Sequence, residues 1–590
     1  MRRINAGALI FTFTVGLSFA QAPTVIIDPG GVPPAALGSI NEAVEAITRL
    51  TEDQDGGEVS RLRRRAHQAT LSALETQGYF TPVVTLEAGQ DVGGETWDIT
   101  IEPGERTVIR DVNIDFTGHI TRPEYEDRVN TLRDDWPLTK DMPFINASWS
   151  KAKEDLLYEV SRKDFYFARL SRTKATIRAD ESKADLSVRV NSGPKVRMGE
   201  LQVFGLKRVP RKLVERYVKY SEGDAYDQEL LENWQQALNS TAFFRGAFVT
   251  LNPDDAGQRV LANDEIQLPV RVQVAEGAAR IIRTSLGVDS DNGPRAEFLY
   301  RQNVVFGEPV QLETGLGVDK KRQRAFLDVH FPPTYSGFVD SVGVLADRSD
   351  IQGVRNTRVG IGWNRTQERK AAGDSRVDYM TRLGLVVAHD TTRYKGAEKF
   401  SVPTGVATWT WRRRDVNNIY DPREGNLIEF GLGAGLTLDK SEPFYRSSLR
   451  AQKWWDIGKH DVLSLRGEVG KVWTKTSRLP EDFGYRTGGS RTIRGYRYQS
   501  IGIEHGDAII GAEALAVLSL EYTYYFTPEL GMNLFVDAGD AAPSFKDLKW
   551  HVGYGTGVTY RTPAGPFSVS LAYGQRDKRL RLHFSLGIAF

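Results

Sequence analysis

The side chains that could do chemistry are present in number but not in pattern. Eight histidines stand at positions 67, 119, 330, 389, 460, 505, 551 and 583. None falls at the close spacing with which two imidazoles on one helix face share a metal ion, so no zinc site is expected. There is no Cys, which excludes disulfide frameworks, thiolate metal sites and cysteine nucleophiles. Nucleotide hydrolysis needs a glycine-rich loop closing on Gly-Lys-Ser/Thr, whose N–H groups cradle phosphates. Gly458-Lys459 and Gly470-Lys471 lack both the upstream glycine and the following hydroxyl. Carboxylates are abundant, yet nothing specifies one pair as acid and base. The chain is therefore expected to be no enzyme and to carry no cofactor and no metal. One residue stands apart: Arg494, in Gly488-Gly489-Ser490-Arg491-Thr492-Ile493-Arg494-Gly495-Tyr496, inside a long polar segment between two strand patterns. An arginine can give a bidentate fork to a carboxylate, and the pair gains where water is partly excluded. Read alone, it is a solvated arginine in a loop.

The elements that would position these residues are of two kinds. At 590 residues the chain is long enough for several domains. A hydrophobic share of 40% and a mean hydropathy of −0.39 exclude a bundle of membrane helices. Lys and Arg number 77 against 76 Asp and Glu, so no broad positive field favours nucleic acid. Arg2 and Arg3, the apolar stretch from Ala6 to Phe19 and the small residues around Ala20 read as a secretory signal peptide over 1–20. Cleavage after Ala20 is preferred to cleavage after Ala22, which would leave Pro23 first. The alternative is an N-terminal membrane anchor, for which the apolar run is short.

The first half repeats itself. Ile101-Glu102-Pro103-Gly104, Val190-Asn191-Ser192-Gly193 and Val274-Ala275-Glu276-Gly277 align with one another, and an alternating strand precedes the second and third glycines. Earlier in each copy a helix pattern runs into an aromatic pair: Gly78-Tyr79-Phe80, Asp164-Phe165-Tyr166 and Ala242-Phe243-Phe244. The unit reads β-α-α-β-β, with bounds at 21–104, 105–193 and 194–278. Its opening strand in the first copy is placed at Thr24 to Asp28. A three-stranded sheet has an edge that can accept an extended peptide, which points to binding.

From about residue 279 to 590 the helical patterns stop. Segments of about 9 to 14 residues alternate apolar and polar positions between turn clusters, the pattern of a transmembrane β-barrel, and the length suits about 16 strands. At the C-terminus Leu580, Leu582, Phe584, Leu586, Ile588 and Phe590 share one face, while Arg579, Arg581, His583 and Ser585 share the other. Closure matters because an open sheet edge in lipid leaves backbone groups without partners. A soluble β-sandwich is the competing reading.

Ile493-Arg494-Gly495-Tyr496 is similar to the signature tetrapeptide of the BamA/TamA/two-partner-secretion transporter superfamily. Phe535-Val536-Asp537-Ala538-Gly539 matches a second motif, and Leu520-Glu521-Tyr522 a third less sharply. Arg301 to Gly307 and Pro563 to Phe567 add to the resemblance. The repeats resemble the POTRA domains of that superfamily, and a count of three resembles its TamA members; BamA members typically carry five, and two-partner transporters two plus a plug helix. The resemblance implies three periplasmic POTRA domains followed by a 16-stranded antiparallel outer-membrane barrel. It implies a long extracellular loop folded into the lumen, with Arg494 meeting Asp537 and Glu521. It also implies a weak seam between first and last strands, with Phe584, Leu586, Ile588 and Phe590 on the seam and signal strand. The implied function is assisted insertion and secretion of autotransporters and other β-barrel proteins. The implied partners are a TamB-like inner-membrane-anchored periplasmic protein, client barrels and the lipid bilayer, with no nucleic acid. A pore for one dedicated secreted protein and a passive channel are the alternatives.

Overall fold

In a computed structural model of the chain, the described residues are 22–51, 56–91, 94–254, 258–371, 373–419, 421–458, 460–562 and 565–586. The expected signal peptide and its cleavage site, and Ile588 and Phe590, lie outside them. Two compact units emerge. One comprises the chain through Leu201 with Tyr220–Leu231 and Leu251–Val270, the other Gln202–Lys219, Glu232–Thr250 and Arg271–Phe590.

The β-α-α-β-β order holds in each repeat. The first consists of β1 (Thr24–Asp28), α1 (Pro34–Thr48), α2 (Gly56–Thr76), β2 (Val83–Asp91) and β3 (Gly94–Glu102). Its sheet runs β1-β3-β2, with β1 parallel and β2 antiparallel to β3. The second, β4 (Val108–Thr117), α3 (Glu126–Asp134), α4 (Asn146–Ser161), β5 (Arg169–Arg178) and β6 (Lys183–Asn191), repeats that topology as β4-β6-β5. The third has β7 (Val196–Phe204), α5 (Arg211–Glu215), α6 (Gln228–Asn239), β8 (Phe244–Leu251), β9 (Arg259–Val260) and β10 (Ile266–Glu276). Its sheet is β7-β10-β8, with β9 on β10.

The recurrent aromatic pair has a physical division of labour. The first member of each, Tyr79, Phe165 and Phe243, is buried in its own repeat. In the first two repeats the second reaches onward: Phe80 lies 6.1 Å from Phe144 and Tyr166 meets Tyr226 edge-on at 5.4 Å, whereas Phe244 is buried like its neighbour. These rings contribute packing beyond the area they bury. The recurrent glycines divide too. Gly104 and Gly193 turn the chain at φ of +69° and +66°, the left-handed region that glycine enters at least cost. Gly277 does not; it is small because a Cβ there would stand 3.2 Å from the Ala242 carbonyl oxygen.

Sixteen antiparallel strands follow in a closed ring. They are β11 (Arg280–Asp289), β12 (Gly293–Val305), β13 (Glu308–Asp319), β14 (Arg322–His330), β15 (Phe338–Ile351), β16 (Val354–Ala371), β17 (Asp374–Tyr394) and β18 (Lys399–Val416). Then come β19 (Gly425–Thr437), β20 (Pro443–Asp456) and β21 (Asp461–Thr474), and a long connection holding a small hairpin of β22 (Ile503–His505) and β23 (Ala508–Ile510). The ring ends with β24 (Ala514–Tyr525), β25 (Leu530–Ala542), β26 (His551–Thr562), β27 (Gly565–Gly574) and β28 (Arg579–Leu586). Alternation sets the two faces: Leu534 and Val536 are exposed on the outside, while Asn533, Phe535 and Asp537 are buried on the inside. β16, β17 and β18 run to 18, 21 and 18 residues, longer than the sequence segments implied. Their polar ends, such as Gln367-Glu368-Arg369-Lys370, keep pairing where alternation has stopped. Among the described residues no helix is long and apolar enough to cross a membrane.

Candidate functional site

The connection from 475 to 513 is folded against the inner wall of the barrel. Gly488 and Gly489, at φ of +100° and +111°, reverse the chain ahead of the tetrapeptide. Ile493 is fully buried in an apolar cluster with Val472, Val517 and Ala541. That seat aims Arg494 at two wall carboxylates. Its Nε donates to Asp537 Oδ2 at 2.7 Å, its Nη2 to Asp537 Oδ1 at 2.9 Å and its Nη1 to Glu521 Oε2 at 2.5 Å. The backbone N–H of Arg494 adds a bond to Asp537 Oδ2 at 3.0 Å, and Ser519 Oγ donates to Oδ1 at 2.6 Å. Asp537 is fully buried with four donors, which fills the acceptor capacity of a carboxylate. The guanidinium also stands 3.4 Å from the centroid of the Phe535 ring, a cation–π contact.

The next two residues carry the chain toward the last strand. Gly495 donates its N–H to His583 Nε2 at 2.9 Å, and its carbonyl accepts from Arg581 Nε at 2.9 Å. Because His583 Nε2 accepts, the ring proton of neutral His583 sits on Nδ1. Tyr496 is buried; its hydroxyl donates to the Val552 carbonyl at 3.1 Å and accepts from the Arg576 N–H at 3.1 Å. Backbone meets backbone here: a Cβ on Gly553 would overlap the Arg494 carbonyl oxygen, and one on Gly574 would lie 2.6 Å from that of Gly495.

Two further attachments were not legible in the motif. Ser490 binds Asp291, in the turn between β11 and β12, through its N–H at 2.9 Å and its hydroxyl at 2.6 Å. On another part of the wall Asp482 pairs with Arg358, which also forks onto buried Asp390 at 2.8 and 3.1 Å. Beside it Tyr485 accepts from Arg446 Nε at 2.9 Å and donates to the Ser447 carbonyl at 2.7 Å. Phe483 packs edge-on against Phe444 at 4.8 Å.

Among the described residues the ring closes thinly. β11 pairs with β12 along its whole length, but among the described residues β11 and β28 share the single register pair Asp289 with Ser585. Ser290 N–H donating to the Phe584 carbonyl at 3.0 Å, and Phe584 N–H donating to Ser290 Oγ at 3.3 Å, extend it slightly. Leu586 belongs to β28, and its side chain lies outside the described residues. At the other end of β12, Arg301 pairs with Glu313 at 2.5 Å, and Asn303 Nδ2 donates to the carbonyls of Ala242 and Ala278, each at 2.9 Å. Among the described residues no group of three or more His, Asp or Glu is placed to hold a metal ion.

Residues 276–590 match the model of the Omp85 superfamily domain, which is more than half of the chain. The chain belongs to the Omp85 superfamily. A curated relative, outer membrane protein assembly factor BamA of Nitratidesulfovibrio vulgaris (strain Hildenborough), is 22% identical over 431 residues, covering 68% of this chain and 51% of that protein. The chain thus spans about half the length of the curated relative it matches. Among solved structures, BamA from Haemophilus ducreyi lacking POTRA domains 1–3 superposes with a TM-score of 0.64 at 16% identity, covering 82% of this chain and all of that one. That likeness is one of fold: POTRA-type α/β elements ahead of a 16-stranded barrel. As an Omp85 protein the chain resides in the outer membrane with its POTRA domains in the periplasm. The turns after β11, β15 and β17 and the 475–513 loop therefore lie at the extracellular end.

Proposed function

We propose that this Omp85 protein is an assembly factor of the TamA type, which helps insert and secrete autotransporters and other β-barrel proteins and changes no covalent bond. The observation that carries the reading is the seam. Among the described residues, a wall paired along full strand lengths elsewhere is joined through the one register pair Asp289 and Ser585 between β11 and β28. An incompletely paired strand edge is a template for another strand. A client strand would pair there, and the free energy of client folding would drive insertion. Residues 21–104, 105–193 and 194–278 would be the three POTRA domains, bound by a TamB-like inner-membrane-anchored protein. Ile493, Arg494, Gly495 and Tyr496 would anchor the loop on Asp537 and Glu521, while Phe584, Leu586, Ile588 and Phe590 would form the outward face of the seam and signal strand.

The test uses the absence of native Cys. Asp289→Cys with Ser585→Cys places two thiols at paired register, where strand spacing suits a disulfide. Oxidised cells should lose protease-accessible autotransporter passengers and other barrels from their surface, and reductant should restore them. A locked seam with undiminished surface proteins would remove the proposal, and loss of one secreted protein with all barrels intact would make the chain a dedicated secretion pore.

A further inference from the structure

The lipid-facing side of β15 to β18 changes character toward the extracellular turns. In the middle of the wall Val344, Val359, Ile361 and Val387 point outward into the apolar zone. Along the same strands, with no register shift between, the same outward face carries Arg348, Arg355, Arg393 and Lys399, all exposed. Arg355 stands directly opposite Arg393, and Arg393 directly opposite Lys399. Like charges facing each other across strands are destabilising. One carboxylate answers them: Asp350 binds Arg355 at 2.8 and 3.0 Å. Arg348, Arg393 and Lys399 form no ion pair with a described carboxylate.

Two features lie just below this row. Thr357, Thr391 and Ser401 are register neighbours on the same face, offering hydroxyls, and Thr391 Oγ1 is 3.0 Å from Ser401 Oγ. From Thr357 an open trough of about 690 Å³ runs sideways across the outer wall toward β11, because small Ala325 and Ala346 sit between larger Leu316 and Val359; Arg348 and Thr357 line its edge. Cations and then hydroxyls descend from the extracellular rim on β15 to β18, and the apolar trough adjoins them at Arg348 and Thr357.

We infer that this face binds a phosphate-bearing lipid of the extracellular leaflet. Its phosphates take the cationic row, its polar oxygens accept from the hydroxyls, and an acyl chain lies in the trough. Charge complementarity selects an anionic headgroup, and the trough at Arg348 selects a lipid over a free anion. The cationic row lies on β15 to β18, while the trough extends across to Thr284, Ser285 and Leu286 of β11, the strand on one side of the seam.

The full chain extracted in detergent is probed by native mass spectrometry with bisphosphorylated lipid A, dephosphorylated lipid A and phosphatidylethanolamine. Bisphosphorylated lipid A should remain bound. Removing its phosphates, or substituting R348Q/R393Q/K399Q, should weaken binding about ten-fold or more. Ala346→Trp fills the trough with every charge in place and should also weaken it, which covers the event that the triple variant does not fold. Equal binding of the dephosphorylated lipid, or undiminished binding by both variants, overturns the site. Displacement by millimolar inorganic phosphate alone would show a simple anion site and overturn the lipid assignment.

Discussion

Ser490 and Asp291 are joined by two hydrogen bonds across 199 residues of sequence, from N–H and hydroxyl to one carboxylate oxygen. Asp291 follows β11, and five residues beyond Ser490 the loop is bonded through Gly495 to His583 and Arg581 on β28. The loop thus holds both sides of the seam, where direct strand pairing among the described residues is thinnest. Asp291→Asn and Ser490→Ala should each lower the melting temperature of the barrel, read from its heat-modifiable mobility on gels. The double variant should lose little more than either single one, a coupling of about 1–2 kcal/mol. Fully additive losses would show that the two residues act separately.

Arg494→Ala strips Asp537 of two of its four donors, the guanidinium Nε and Nη2, and leaves it buried without the Arg494 charge, a cost of about 3–5 kcal/mol for a broken buried pair. Asp482, Phe483 and Tyr485 still hold the loop to another part of the wall. The single variant should therefore unfold at lower temperature yet keep the 475–513 segment resistant to protease. Arg494→Ala combined with Asp482→Ala and Tyr485→Ala should expose that segment and raise single-channel conductance. Cleavage of the loop in Arg494→Ala alone would show that the Asp482 attachment bears no load.

Glu276 closes β10 just ahead of the barrel, and its Oε1 accepts the N–H groups of Lys207, Arg208 and Val209 at 2.7, 2.8 and 2.9 Å. Burial works against its charge, but these N–H groups and the Arg208 guanidinium outweigh burial and hold its pKa below the ordinary 4.5. The stabilisation is then complete above pH 4.5 and lost as the pH falls through the lower folded value. Amide exchange of Lys207 to Val209 should be protected at pH 7, and the protection factor should fall on acidification below pH 4.5. Glu276→Gln should lower it at pH 7 and flatten the dependence; an unchanged profile would mean the turn is held by other contacts.

The elements were legible where a period carries them. Alternation marked the start of the last strand, β28, at Arg579, and the aromatic pairs marked where each second helix ends because the first ring must enter the core. The pairing of Arg494 with Asp537 and Glu521 could be named through the family motif, since no local pattern links residues 43 and 27 positions apart. Asp482 and Ser490 stayed hidden for the same reason without that help: each is one polar residue in a polar loop, and its partner lies on a strand 124 positions away or in a turn 199 positions away. His583 read as a water-facing position in an alternating strand, and its partner proved to be a backbone N–H of the loop, which no side-chain motif reports.

Backbone packing between loop and wall gives a further expectation. Gly553 lies under the Arg494 carbonyl and Gly574 under that of Gly495, so a single methyl at either position meets main-chain atoms that cannot swing aside as a side chain can. Gly467, on β21, has open space where a Cβ would stand. Gly553→Ala and Gly574→Ala should therefore displace the tetrapeptide and lower barrel stability by about 1–3 kcal/mol, while Gly467→Ala should be neutral or slightly stabilising through the less flexible unfolded chain. Heat-modifiable mobility and the fluorescence of a probe on Cys substituted at Ser500, beside the motif, read the two effects separately. If Gly553→Ala melts with the wild type and leaves the probe unchanged, the close approach of loop to wall does not hold the tetrapeptide in place.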